Sequence, residues 1–248
     1  MYTAIIIDPR VHQAFEIVLN NFLSNLDSRW NFIIICGNLN LSFLINLINL
    51  KFVNHKHRIT LVKLNVNNIN AQYYSNILMN KHFYSLIPTE MFLIFQLDTL
   101  LSNVYNNNIY DFMEYDYVGA PWPQGDVGNG GLSLRRKTKM LEVIERLPPD
   151  PTNNEDLFFC RNNLNILHKP SADEAKKFSV EAVFYDKPFG IHKPYFHTTM
   201  ENINILATHI PNINLLAYIN QIHIEITPPD TNIDITDILT HRQVVAFE

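Results

Sequence analysis

Four short apolar runs, each closed by a polar or turn-forming break, punctuate the first hundred residues, and stretches of helical spacing separate them. Residues 3–7 (Thr-Ala-Ile-Ile-Ile) are rich in β-branched side chains and stop at Asp8-Pro9. Residues 32–36 stop at Gly37-Asn38, and residues 59–64 form a third run. Residues 91–95 (Met-Phe-Leu-Ile-Phe) carry the strongest strand signal and lead into Gln96-Leu97-Asp98. Runs of this length without polar alternation predict strands buried on both faces. Between the first two, Phe15, Val18, Leu19, Phe22 and Leu26 recur at helical spacing within residues 11–26. Residues 41–50 predict a second helix. Residues 71–86 predict a third, with Tyr74, Ile77, Leu78 and Phe83 toward the core. Strands alternating with helices predict an α/β domain whose mostly parallel sheet is covered on both faces. Ligands of such sheets sit beyond the carboxyl ends of the strands. Asp8-Pro9-Arg10 and Gln96-Leu97-Asp98 are therefore the first two places to look for chemistry.

The second half changes character. Residues 115–122 (Tyr-Asp-Tyr-Val-Gly-Ala-Pro-Trp) predict a strand that enters a loop, and residues 128–131 gather three of the seven glycines. Residues 138–146 form an amphipathic helix stopped by Pro148-Pro149, and Asn154-Glu155-Asp156 opens another over 157–161, with Asn153 or Asn154 as N-cap. Beyond His192 periodicity is weak and no catalytic motif stands out. The expected organisation is one domain over residues 1–199. A C-terminal extension over 200–248 would pack on it or mediate self-association as a homodimer, offering Ile205, Leu206, Leu215, Leu216 and Ile219 for burial.

Composition narrows the classes. With 248 residues and 47 % hydrophobic side chains, the chain is long enough for a sizeable core. A net charge of −5 argues against a nucleic-acid binder, which needs a basic face to neutralise phosphates. It leaves room for one nucleoside diphosphate, which needs only a few local cations. Cys36 and Cys160, the two cysteines, sit in apolar or helical contexts and read as small core hydrophobes. That usage suits a reducing, cytoplasmic setting. The start lacks a basic segment before its short apolar run, and no stretch approaches the roughly 20 apolar residues that span a bilayer. Neither a signal peptide nor a transmembrane segment is expected.

Four stations now stand in order: Asp98 after a strand, the glycine-rich loop 128–131, Glu155-Asp156 at a helix start, and a late His192. That order resembles the shared core of GT-A glycosyltransferases, where the stations are the DxD motif, the glycine loop, the xED motif and the C-terminal histidine. The wording is closer to one group. Residues 95–101 (Phe-Gln-Leu-Asp-Thr-Leu-Leu), 115–122, 128–136 (Gly-Asn-Gly-Gly-Leu-Ser-Leu-Arg-Arg), 154–156 (Asn-Glu-Asp) and 189–194 (Phe-Gly-Ile-His-Lys-Pro) resemble a glycosyltransferase-like family of bacteria, fungi and large DNA viruses. The similarity runs over about residues 3–197. It implies a Rossmann-like GT-A fold and transfer of a sugar from a nucleotide-sugar donor, UDP-linked, to a glycan or other hydroxyl acceptor with inversion. Arg10, Tyr74, Gln96 and Asp98 would hold the donor. Asp98 and His192 would hold Mn²⁺ or Mg²⁺, and the Glu155-Asp156 pair would supply the general base, Asp156 before Glu155. Trp122, Gly130 and Gly131 would line the acceptor side.

The chain departs from the pattern at Gln96, where a full DxD would place an acid. An amide can hydrogen-bond a ribose hydroxyl but brings no charge to a cation, so weak metal affinity is expected. Each residue also has a plainer reading: Asp98 as a turn cap, Glu155-Asp156 as an acidic first turn favoured by the helix dipole, Trp122 as a core side chain. His192 is one of ten histidines, with His197 as the fallback, and Arg10, Lys187 and Lys193 are candidate phosphate partners. The glycine loop lacks both the Lys-Ser/Thr of a P-loop and Gly-x-Gly-x-x-Gly spacing. Two other functions stay open: a non-catalytic glycan- or nucleotide-sugar-binding module, and a nucleotidyltransferase.

Overall fold

The computed structural model describes residues 1–103, 108–148, 153–161 and 165–247, so the expected stop at Pro149 lies outside the described residues. The chain opens with β1 (Tyr2–Ile7), α1 (Ala14–Asn25), β2 (Trp30–Cys36), α2 (Leu41–Lys51) and β3 (Ile59–Lys63). α3 (Ala71–Leu78), α4 (Lys81–Tyr84), β4 (Met91–Phe95) and β5 (Thr99–Leu101) follow. Next come β6 (Tyr117–Gly119), β7 (Leu132–Arg136), α5 (Lys137–Arg146), α6 (Glu155–Cys160), α7 (Ala172–Phe178), β8 (Ser179–Val180) and β9 (Gly190–His192). The chain then runs through α8 (Met200–Ala207), α9 (Ile213–Ile222), α10 (Ile235–Thr240) and β10 (Gln243–Ala246).

Seven strands make the central sheet, in the order β10-β3-β2-β1-β4-β7-β6, and β5-β9-β8 make a small second sheet. β1 to β4 run parallel, whereas β7 is antiparallel to β4 and β6, and β10 to β3. Alternate residues of the central strands feed opposite cores, as the period of two requires. Ala4, Ile6, Phe32, Ile34, Leu61, Leu93 and Phe95 face one side, under α1, α2, α8 and α9. Ile5, Ile7, Ile33, Ile35, Val62, Phe92 and Ile94 face the other, under α3 to α6 and α10. This explains why the strands read as unbroken apolar runs.

Several expectations are corrected. The helix expected over 71–86 is two helices, because the Asn80 side chain accepts the His82 amide and caps a new one. Asn154 takes the N-cap position of α6, yet its side chain makes no capping bond. The weakly periodic tail holds three helices and an edge strand of the central sheet. Of its expected core residues, Leu206 and Leu216 are buried, but Ile205 and Leu215 are exposed. The strands progress from β1 through β2 to β3 on one side, and β4 then returns to the other side of β1. That reversal opens a crevice at the carboxyl ends of β1 and β4, where such sheets place ligands.

Candidate functional site

A cleft of about 260 Å³ occupies this crevice, and Asp8, Arg10, Asn70, Tyr74, Gln96 and Asp98 contribute to its lining. The four residues expected to hold a donor are thus brought together. Asp8 and Arg10 follow β1 and lock to one another: the Arg10 Nε donates to Asp8 Oδ1 at 2.9 Å and Nη2 to Oδ2 at 2.6 Å. Glu225 approaches the same guanidinium at 3.6 Å, so the charge of Arg10 is already matched within the protein. Tyr74 lies beside Gln96, and burial, with Glu155 nearby, pushes its phenol well up and keeps it neutral. Asn220, from the tail, completes the lining and was not anticipated from sequence.

Beyond Asp98 the cleft meets a buried polar cluster. The His192 Nε2 faces Asp98 Oδ1 at 3.3 Å, and its Nδ1 faces Asn129 Oδ1 at 2.8 Å and Glu181 Oε1 at 3.2 Å. Burial works against a charge on this imidazole, but Asp98 and Glu181 outweigh it and raise its pKa to about 9. Burial also opposes ionisation of Asp98 and Glu181, and in both His192 and Lys193 prevail, holding the carboxyls below the usual range. Glu181 is 6 % exposed and also lies 3.7 Å from Lys193 Nζ and 3.9 Å from His197 Nε2. Sequence reasoning missed Glu181; its one signal is an acid set among Val180, Ala182 and Val183.

The glycine loop joins this cluster to α6. Tyr117 donates its hydroxyl to Gly128 O at 2.8 Å, and Gly131 N donates to Asn129 Oδ1 at 3.1 Å. A Cβ on Gly131 would stand 2.2 Å from the His192 ring, and one on Gly130 would stand 2.1 Å from Glu155 Oε1. The two glycines therefore make room for the His192 ring and the Glu155 carboxylate. Asp156 is half-buried at the loop, its Oδ2 accepting from Gly130 N at 3.4 Å and its Oδ1 from Leu157 N at 2.8 Å. Glu155 has a different fate. Its two oxygens face the buried Arg135 guanidinium at 2.9 and 3.1 Å, so its carboxylate serves an ion pair and is not free to act as a base.

Trp122 stands apart from the cleft lining, with the Arg161 guanidinium 4.8 Å from its ring centroid. That face of the ring is taken up by the guanidinium, and the residue is half-buried. Lys187 is exposed and also outside the lining. Asp98 Oδ1 and His192 Nε2 are both buried atoms without a hydrogen-bond partner. One hard oxygen and one imidazole nitrogen converging in this way fit part of a divalent cation's shell. Among the described residues no group of three or more His, Cys, Asp or Glu side chains could hold a metal alone.

A mixed sheet with a switch-point cleft, a glycine loop on its antiparallel strand and an acid-led helix beside it is the GT-A, Rossmann-like arrangement. Residues 58–192 match the family described as "Protein of unknown function (DUF5672)", and the chain belongs to that family. No curated protein matches the chain. Among solved structures it is similar to the glycosyltransferase GlyE of Streptococcus pneumoniae TIGR4, with 8 % identity, TM-score 0.54, and coverage of 97 % of this chain and 63 % of GlyE. The apo form of GlyE gives 9 %, 0.52, 97 % and 62 %. The chain thus spans just under two thirds of GlyE. A 4-diphosphocytidyl-2C-methyl-D-erythritolsynthase from Anaerococcus prevotii DSM 20548 gives 11 % identity, TM-score 0.45, and coverage of 64 % and 81 %. Among the described residues no helix is long and apolar enough to cross a membrane.

Proposed function

We propose that the chain transfers a sugar from a nucleotide-sugar donor, UDP-linked in the first instance, to a hydroxyl acceptor with inversion at the anomeric carbon. The observation that carries this reading is the polar series that leads from the switch-point cleft through Asp98 and His192 to Asn129, whose chain neighbour Gly130 meets Asp156 with its amide. Its two ends suit a donor and a base respectively. Asn70, Tyr74 and Gln96 offer hydrogen bonds to a nucleoside. Arg10 offers charge to a diphosphate, once it exchanges its contact with Glu225 for one to phosphate. Asp98 and His192 are the residues that would hold Mn²⁺ or Mg²⁺. Such an ion supplies charge to the departing diphosphate. With Gln96 uncharged, binding of the metal alone is expected to be weak.

Inversion needs a base on the face of the sugar opposite the leaving group. Asp156 has the required chemistry: a half-buried carboxylate in the first turn of α6, oriented by backbone amides. It accepts the acceptor's proton as the oxygen attacks the anomeric carbon and the diphosphate leaves. Asp156→Asn keeps the shape but cannot take a proton, so turnover should fall by about 10²–10⁴-fold. Affinity for UDP, read as a rise in melting temperature, should stay as in the wild type. Wild-type transfer rates in this variant would remove Asp156 from the role. A panel of nucleoside diphosphates that all leave the melting temperature unchanged would sink the donor assignment. Gln96 favours one second reading, a nucleotide-sugar-binding domain without turnover; release of free nucleoside diphosphate from the donor decides against it.

A further inference from the structure

We propose that Glu181 is the positioning residue of this site: it fixes the His192 ring and the Asn129 side chain so that His192 Nε2 points at Asp98. The inference builds on the proposed reading for its importance, but its geometry stands apart from it. β8 and β9 run parallel with Val180 opposite Ile191, so Glu181, the first residue past β8, follows in step with His192, the last of β9. Their side chains meet behind the catalytic cluster, away from the cleft lining.

Each Glu181 oxygen has its own task. Oε2 accepts from Asn129 Nδ2 at 2.8 Å, which fixes the amide and turns its Oδ1 toward His192 and Gly131. Oε1 lies 3.2 Å from His192 Nδ1. With Asn129 Oδ1 and Glu181 Oε1 both acceptors, the Nδ1 atom must carry a hydrogen and donate it. The ring is then held from behind, which leaves Nε2 directed at Asp98. Histidines that present one nitrogen to a ligand are commonly held in this way by a carboxylate on the other. Glu181 also stands beside Lys193 and His197, so one buried carboxylate faces three basic side chains. Without it those groups would converge with no negative charge behind them. Gly131 completes the fit, since any Cβ there would strike the ring that Glu181 holds.

The test is side-chain NMR of ¹⁵N-histidine-labelled full-length protein, with the His192 signals assigned by their loss in His192→Gln. The wild type should show a His192 Nδ1–H resonance in slow exchange with water. Glu181→Gln should lose it or exchange it at least tenfold faster, and Glu181→Asp should retain it in part. If Glu181→Gln fails to fold, the comparison of Glu181→Asp with the wild type carries the test. An unchanged resonance in the folded Glu181 variants overturns the proposal. Where donor turnover is present, Glu181→Gln should lower it tenfold or more, and adding Glu181→Gln to His192→Gln should change it less than twofold, because both act through one ring. Multiplicative losses would overturn the proposal in the same way. The ring resonance needs no substrate, so failure of the transferase reading leaves it able to decide.

Discussion

His12 serves α1 only as a neutral imidazole, because its Nδ1 accepts the Ala14 amide at 3.0 Å and has no lone pair to spare for a proton. Burial lowers its pKa to about 4, helped by the His223 ring 3.9 Å away and by Arg10, and against the pull of Asp8 and Asp98. An unfolded chain returns this group to about 6.5. The unfolded state therefore binds the proton more tightly between pH 6.5 and 4. The stability His12 contributes is complete above pH 6.5 and is lost as pH falls toward 4, amounting to about 3 kcal/mol over the whole interval. Urea midpoints should fall between pH 6.5 and 5 in the wild type. His12→Asn, which can still accept the Ala14 amide, should flatten that slope. A slope that survives the substitution would show that other groups set it. The motif residues Gln96, Asp98, Asp156 and His192 were legible in sequence because each stands in a distinctive phrase. His12 and Glu181 were not, since what defines them is a neighbour far along the chain: His223 for one, Asn129 for the other.

At the level of elements, α6 is pinned to the sheet through its first residue. Glu155 reaches Arg135 on β7, a fully buried guanidinium 4.7 Å from the Tyr117 ring centroid and 5.8 Å from that of Phe159. Burial pushes the Glu155 carboxyl up and Arg135 pulls it back, while Arg135 itself is held well above its ordinary value. Removing one partner of such a pair strands the other's charge in the core, at about 3–5 kcal/mol. Glu155→Gln should therefore lower unfolding stability by that amount in chemical denaturation. It is a fold variant rather than the silent control for Asp156 that an acidic helix start suggests. A loss below about 1 kcal/mol would mean that water reaches the pair, as at exposed ion pairs. The long central strands were readable because both their faces are buried and nothing polar interrupts them. β5, β8 and β9 were not, since two- or three-residue strands carry no period of their own. The tail's helices escaped because each buries only two side chains, too few to mark a helical period.

For the whole molecule, the question is whether residues 200–248 form an appendage or part of the domain. Five of their aliphatic side chains, Ile203, Leu206, Ile210, Ile213 and Leu216, are at most 2 % exposed and belong to the same core as β1 and α1. Ile238 and Leu239 enter the opposite core. β10 pairs with β3 and closes that edge of the sheet. The stretch between α9 and α10 crosses to the cleft's far rim: Asn68 Nδ2 donates to Thr227 O at 2.7 Å and Asn67 N to Asp230 Oδ2 at 2.7 Å, while Glu225 meets Arg10 on the near rim. At about 1.5–3 kcal/mol per buried aliphatic side chain, the five alone represent about 8–15 kcal/mol. That is an upper figure, because unfolded chains already bury some of this surface. It still equals the whole net stability of an ordinary domain, about 5–15 kcal/mol. A chain stopped at residue 199 is therefore expected to lack a cooperative unfolding transition, and to lose near-ultraviolet circular dichroism while keeping much of its far-ultraviolet signal. Ending instead at residue 242 removes only the edge strand and should leave a cooperative, less stable protein. A sharp transition in the 1–199 chain, at a midpoint near that of the full chain, would show that the tail is a cover the domain does without.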